Sequence, residues 1–388
     1  MLVERSASLY FRYFLMYTFF YLSWALFSAI LSIYMLDLGY SASQVSLVVS
    51  VSFLTSVLSQ PVLGYLNDRL GIKPVTLAGL GLALAGGIIF LLSKHLWGLV
   101  LGYSLAIMMI NGINPVMDLL AARSPYKYGS IRVWGTIGYA TGTQMAGILY
   151  QMIHPQAIYV TFLGTLVLSI IGVLGLPFSE ETAPVKEKQE ESFMNDILKN
   201  RPYLLALMII ALFSGVANVG HTYIPAMLEA SGLSVSQAST VVSLAVICEA
   251  PLIFYSYLFM DRYPSKILIL FPIFFMTLQF VFFGLAAPIP LKIFGTLLAK
   301  HAANMTLIML TLKLVNNLVG PRFVMTGMAL IQTAKSLLSI LVQTWAGWLI
   351  DTSGYESMSW FMVGLLLIVL LMVPFLHVDE SKSEHLFS

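Results

Sequence analysis

Few residues in this chain can do chemistry, and nearly all of them lie inside long apolar runs. They are Asp118, Arg132, Glu249, Lys300 and Lys335, joined by His221 and His301. A charge at the bilayer centre costs roughly 2.5–3.5 kcal/mol or more when it faces lipid, so each is expected to face protein or an aqueous cavity. Asp118 and Arg132 offer ion pairing and hydrogen bonds to hydroxyl groups. Glu249, in Val246-Ile247-Cys248-Glu249-Ala250-Pro251, offers a carboxyl whose desolvation favours its neutral form and suits it to carry a proton. The competing reading leaves Glu249 permanently ionised as a partner of Lys335 or Lys300. His221, alone on an apolar helix, reads as a packing histidine as well as a proton site. Enzyme chemistry is not expected, because the histidines are dispersed, Cys248 is the sole cysteine and has no evident activator, and no phosphate-cradling glycine loop is present. No cofactor, metal or nucleic-acid partner is implied.

The elements that must position these groups are membrane spans. The chain is 59% hydrophobic and 10% charged, where globular proteins carry about 25% charged residues, so the excess apolar surface needs lipid as its solvent. Runs of about 20 apolar residues suffice for a helical span. They fall near 9–36, 42–66, 74–93, 97–121, 129–152 and 156–177, then 203–228, 235–259, 266–287, 291–314, 323–350 and 357–377. The first run reads as a span rather than a signal peptide. This predicts an all-α integral membrane protein with an N-terminal six-helix bundle over 1–178, a Glu- and Lys-rich cytoplasmic linker over 179–201 and a C-terminal six-helix bundle over 202–388. Most lysines and arginines fall at ends or loops that this arrangement makes cytoplasmic, with Lys94 and Lys292 outside the pattern, so both termini are expected to be cytoplasmic in a cell membrane. Pro61, Pro115 and Pro251 lie within spans, as hinges or as simple packing kinks.

The two halves share a register. A constant offset of 193 positions maps Gly39, Ser41, Gln44 and Ser46 onto Gly232, Ser234, Gln237 and Ser239, and carries Asp68, Arg69 and Lys73 onto Asp261, Arg262 and Lys266. An ungapped match of this length, at half the chain, indicates a tandem duplication of one membrane unit. The stretch Gln60-Pro61-Val62-Leu63-Gly64 running into Asp68-Arg69-Leu70-Gly71-Ile72-Lys73 resembles the signature loop of the major facilitator superfamily of transporters. Here Gly64 is expected to let helices approach closely, and Asp68, Arg69, Gly71, Lys73, Asp261 and Arg262 to form the gating hairpins. The second copy departs from the pattern, with Tyr257 and Pro264 where the first has glycines.

A second resemblance narrows the family. Asp118 follows Asn111-Gly112-Ile113-Asn114-Pro115 on the fourth span, and Arg132 lies in Tyr128-Gly129-Ser130-Ile131-Arg132-Val133-Trp134-Gly135-Thr136-Ile137-Gly138-Tyr139 on the fifth. These stretches are similar to those of the oligosaccharide–proton symporter branch, the lactose-permease-like transporters, and occur also in related nucleoside carriers. The resemblance implies that Asp118 and Arg132 bind substrate, with Asn111, Trp134, Tyr139 and Lys335 beside them, and that Glu249, His301 and His221 couple protons. The short turn between the spans suggests that Asp118 and Arg132 meet, as a substrate pair or as a salt bridge closing the cytoplasmic end. Two departures stand out: Asn218 and His221 occupy seventh-span positions where that branch has aspartates, and no carboxylate lies three residues after His301.

What the resemblance implies is proton-coupled uptake of a small hydrophilic solute, a sugar, oligosaccharide or nucleoside, by a monomer in the bilayer whose coupling ion is the proton. Two alternatives share the fold. The surplus of cations over Asp118 and Glu249 would suit an organic-anion symporter. A drug or metabolite efflux antiporter would fit less well: Met108-Met109-Ile110-Asn111 stands where exporters carry a fourth-span arginine, and Gly138, Gly142 and Gly147 lack the accompanying proline.

Overall fold

In a lipid solvent the backbone must satisfy its own hydrogen bonds, and this chain does so with helices. The computed structural model describes residues 7–177, 200–260, 262–319 and 324–378, and no strand occurs among them. The first half comprises α1 (Ala7–Ser28), α2 (Leu31–Asp37), α3 (Ala42–Leu70), α4 (Ile72–Leu92), α5 (Leu96–Ala122), α6 (Tyr128–Met152) and α7 (Ala157–Leu174). The second comprises α8 (Arg201–Ala230), α9 (Val235–Phe254), α10 (Ser256–Phe259), α11 (Ser265–Gly284), α12 (Ile289–Leu298), a π-helical segment (Ala299–Ala303), α13 (Asn304–Val319) and α14 (Val324–Met372).

Among the described residues, ten helical stretches are long and apolar enough to cross a membrane. One of them, Thr326–Phe375, leaves helical geometry at Gly354 (φ +81°) and so supplies two crossings. α6 is 25 residues long but more polar, and counted as a crossing it is consistent with the expected twelve. Pro61, Pro115 and Pro251 all lie inside helices.

Contacts divide the chain into two units, Met1–Pro184 with Gly232–Ser243, and Val185–Ser231 with Leu244–Ser388. In the first, α1 packs against α6 and α7, and α5 against α3 and α4. In the second, α8 and α11 pack on α14.

The duplicated register shows in local chemistry. Gly39 (φ +86°) and Gly232 (φ +108°) both take the left-handed turn that precedes a helix. Ser41 and Gln44 then form a reciprocal capping box, Ser41 N–H donating to Gln44 Oε1 at 2.9 Å and Gln44 N–H to Ser41 Oγ at 3.3 Å. Ser234 and Gln237 repeat it at 2.9 and 3.2 Å. After the spans, Lys73 Nζ donates to the carbonyl of Leu174 at 3.1 Å, and its counterpart Lys266 Nζ to that of Pro374 at 3.0 Å. Each lysine thus binds orphan carbonyls where the last helix of its half ends.

The first hairpin is tighter than the sequence implies. α3 continues through the charged stretch to Leu70, and Gly71 (φ +85°) alone makes the turn into α4. Polar residues at a helix end can extend the helix beyond the apolar span. In the second half, Lys313 is 2% exposed and donates to the carbonyls of Met260 (2.7 Å) and Tyr263 (3.0 Å), pinning the corresponding turn.

Candidate functional site

The fourth and fifth spans bring their candidates against an aromatic stripe on α1. Tyr13, Tyr17, Phe20 and Tyr21 are buried, and the rings of Tyr17 and Tyr21 lie 5.0 Å apart. Tyr17 donates its hydroxyl to Asp118, and Tyr21 donates to Asn114 Oδ1 at 2.7 Å, so two α1 tyrosines grip successive turns of α5. Tyr128, at the start of α6, reaches the same Asp118 oxygen at 3.5 Å. α6 comes close enough to take part because Gly135 sits against the rings of Tyr17 and Tyr21, and Gly138 against the backbone of Thr18, where any Cβ would collide. These two glycines set the close packing of α6 on α1.

Asp118 and Arg132 do not form the direct ion pair that the short turn suggests. The guanidinium of Arg132 lies over the Tyr21 ring at 5.3 Å and the Tyr17 ring at 6.0 Å. Tyrosines are interposed: one face holds the cation, and the Tyr17 hydroxyl holds the carboxylate. Both side chains are half-buried. Of the other substrate candidates, Asn111 donates to Ser56 Oγ at 3.1 Å, tying α5 to α3. Trp134 donates to the Tyr10 hydroxyl at 2.9 Å and meets Phe14 edge-on, so it belongs to the α1–α6 contact. Tyr139 meets Trp24 edge-on at 6.1 Å.

The second unit builds a different cluster. The π-helical segment carries consecutive Lys300 and His301, both buried, and turns them toward different neighbours. π-helical turns of this kind recur at functional sites. His301 Nδ1 lies 3.6 Å from Glu249 Oε2 on α9. The His221 ring on α8 meets the His301 ring edge-on at 5.1 Å. Lys300 Nζ reaches the carbonyls of Gly220 and His221, each at 3.4 Å. Glu249, His301 and His221, which the resemblance implies couple protons, form one connected group. Glu249 faces an imidazole rather than Lys335 or Lys300. Lys335, on α14, stands a turn before Ser339, whose hydroxyl accepts from Asn218 of α8 at 2.7 Å.

Of the expected hairpin residues, Gly64 is on an exposed face of α3, and a Cβ there would meet nothing within 4 Å, so it does not mediate the close approach expected of it. Arg69 is exposed with its guanidinium 4.9 Å from the Tyr65 ring, and Arg262 is also exposed. The Asp68 side chain and Asp261 lie outside the described residues.

The sequence marks Tyr13, Tyr17, Phe20 and Tyr21 as a helically spaced aromatic stripe that could line a cavity, but not Tyr17 and Tyr21 as the partners of Asp118 and Asn114, and it gives no sign of the roles of Tyr128 beside Asp118 or Ser339 beside Lys335. The spacing of Tyr17 and Tyr21, four apart on one helix face, was the available signal, but it also describes an ordinary buried stripe.

The Major Facilitator Superfamily model matches residues 13–299 and again 221–387. The chain belongs to the major facilitator superfamily. It is 22% identical over 379 residues to the raffinose permease of Escherichia coli, covering 89% of this chain and 86% of that protein. It is 29% identical over 157 residues to the sucrose permease of Escherichia coli, covering 37% and 38%. Among solved structures, the nucleoside transporter NupG superposes with a TM-score of 0.81 at 17% identity, covering 97% of this chain and all (100%) of that one, which establishes the shared fold. The superfamily chain is a multi-pass membrane transporter, and both resemblances read from its motifs hold at this level.

Proposed function

We propose that this transporter takes up a small hydrophilic solute, a sugar or oligosaccharide or else a nucleoside, together with a proton. The observation that carries this reading is the contact of Glu249 with His301, backed by His221, at membrane depth. A carboxyl and an imidazole in contact, with lipid-depth helices around them, can hold or release a proton without a permanently fixed charge. Asp118 and Arg132, separated by tyrosine rings, offer an acceptor and a donor fork for solute hydroxyls, the arrangement that suits a polyol. The named relatives, a raffinose and a sucrose permease, support a sugar.

In this reading the two halves alternate access to the site, and Asp68, Arg69 and Asp261 latch the cytoplasmic face. The protein works as a monomer in the cell membrane, with both termini cytoplasmic and no cofactor. It performs no chemistry on its solute. Radiolabelled raffinose uptake into proteoliposomes tests the proposal. Uptake is expected to exceed equilibration when the lumen is alkaline and to fall to equilibration when the gradient is collapsed. Accumulation indifferent to the gradient would refute proton coupling.

A further inference from the structure

α8 and α14 meet through a polar ladder whose residue numbers rise together on both helices. Thr222 Oγ1 lies 3.4 Å from Gln343 Oε1, and one turn earlier Asn218 Nδ2 donates to Ser339 Oγ at 2.7 Å. Four residues separate the rungs on each helix, so the next turn back places Ser214 level with Lys335. Ser214 is 3% exposed, and its hydroxyl has no partner among the described residues. The Lys335 ammonium, three donors with no acceptor, likewise makes no hydrogen bond, ion pair or aromatic contact among the described residues.

The contrast with Lys300 singles out this level. Lys300 has the carbonyls of Gly220 and His221 as acceptors. The membrane-depth carboxylate of this unit, Glu249, faces His301. The polar α8 residues on this face, Ser214, Asn218, His221 and Thr222, include no acid. A cation at this depth that the protein leaves without a counter-charge calls for one from outside.

We propose that Lys335 receives an anionic group of the transported solute, a carboxylate or a phosphate, which narrows the solute to acidic sugars and their like. This rests on the uptake reading above and specifies the solute's charge. Asn218 and Ser339, a turn away, supply a neutral polar wall that leaves the ammonium available, and the four-carbon stem of the lysine lets it follow the anion.

Binding to the full chain in lipid nanodiscs tests the idea, with galactose against galacturonate and glucose against glucose 6-phosphate as paired probes. One acidic probe is expected to bind at least about tenfold more tightly than its neutral partner, as one charge-assisted contact allows. Lys335→Gln removes that preference and Lys335→Arg keeps it. Neutral probes that bind as tightly as acidic ones, or a preference that survives Lys335→Gln, would overturn the anion site and leave sugar transport standing. Succinate bound through Lys335 while every sugar fails would sustain the anion site and overturn the sugar reading. Should no probe bind, Asn218→Asp decides: an isosteric carboxylate one turn from a charged, unmatched Lys335 is expected to raise the melting temperature, and the gain disappears in the double variant with Lys335→Gln. A fall in melting temperature, or a rise independent of Lys335, overturns the proposal.

Discussion

The two units bury their charges by opposite means. In the first, Asp118 and Arg132 are kept apart by phenols and held by geometry: Tyr17 and Tyr128 reach the carboxylate, while two aromatic faces hold the guanidinium. In the second, Glu249, His301 and His221 touch one another, and the nearby cation, Lys300, rests on backbone carbonyls. An arginine keeps its charge at any physiological pH, so the first cluster is electrostatically fixed and suited to recognition. A carboxyl next to imidazoles can change its charge, so the second is suited to exchange protons. In the proposed reading, one duplicated unit has diverged into a half-site for recognition and one for proton exchange.

The comparison breaks most sharply at Glu249. Glu249→Gln is expected to reduce gradient-driven uptake by about 100-fold or more, the low end for removal of a proton-transfer group, while solute counterflow persists. Counterflow lost together with driven uptake would return Glu249 to a structural role. Next in size, Asp118→Asn and Arg132→Lys should each weaken solute affinity about 10- to 100-fold, since each removes a charged or forked contact worth roughly 1.5–3 kcal/mol. Their pH dependence should stay that of the wild type, and an altered pH profile would show that the fixed cluster also takes part in coupling.

Tyr17→Phe sharpens the same division. It removes the hydroxyl that holds Asp118 and leaves the aromatic face beside Arg132, so a loss of about 0.5–1.5 kcal/mol in solute binding is expected. A loss as large as that of Asp118→Asn would mean that the tyrosine contacts the solute itself. The smallest effect tests the shared ancestry of the halves. Ser41→Ala and Ser234→Ala each remove one capping box, and thermal unfolding should register about 1 kcal/mol for each. Unequal costs would show that the two copies no longer depend on the same local device.

Periodicity and charge placement made the helices legible, because apolar runs and basic loop residues are set by lipid rather than by partners. The register of 193 was legible too, down to Gly39, Ser41 and Gln44 and their counterparts, since caps and left-handed turns are local requirements. The turn at Gly71 was misjudged because nothing local stops a helix before a glycine. The Asp118–Arg132 separation was not legible at all. It depends on α1 threading tyrosines between two helices that are neighbours in sequence, and a third helix leaves no trace in their spacing. The grouping of Glu249 with His301 likewise needed the π-helical segment, whose extra residue per turn resets which side chains face α9.

The central claim is that solute and proton enter together through a titrating cluster in the second unit. Proteoliposomes loaded with a pH-sensitive dye and held without an initial gradient measure it directly. Adding solute to the wild type is expected to acidify the lumen, and adding it to Glu249→Gln is expected to leave the pH unchanged although the solute still exchanges. Equal acidification in both, or none in a wild type that demonstrably transports the solute, would contradict the account.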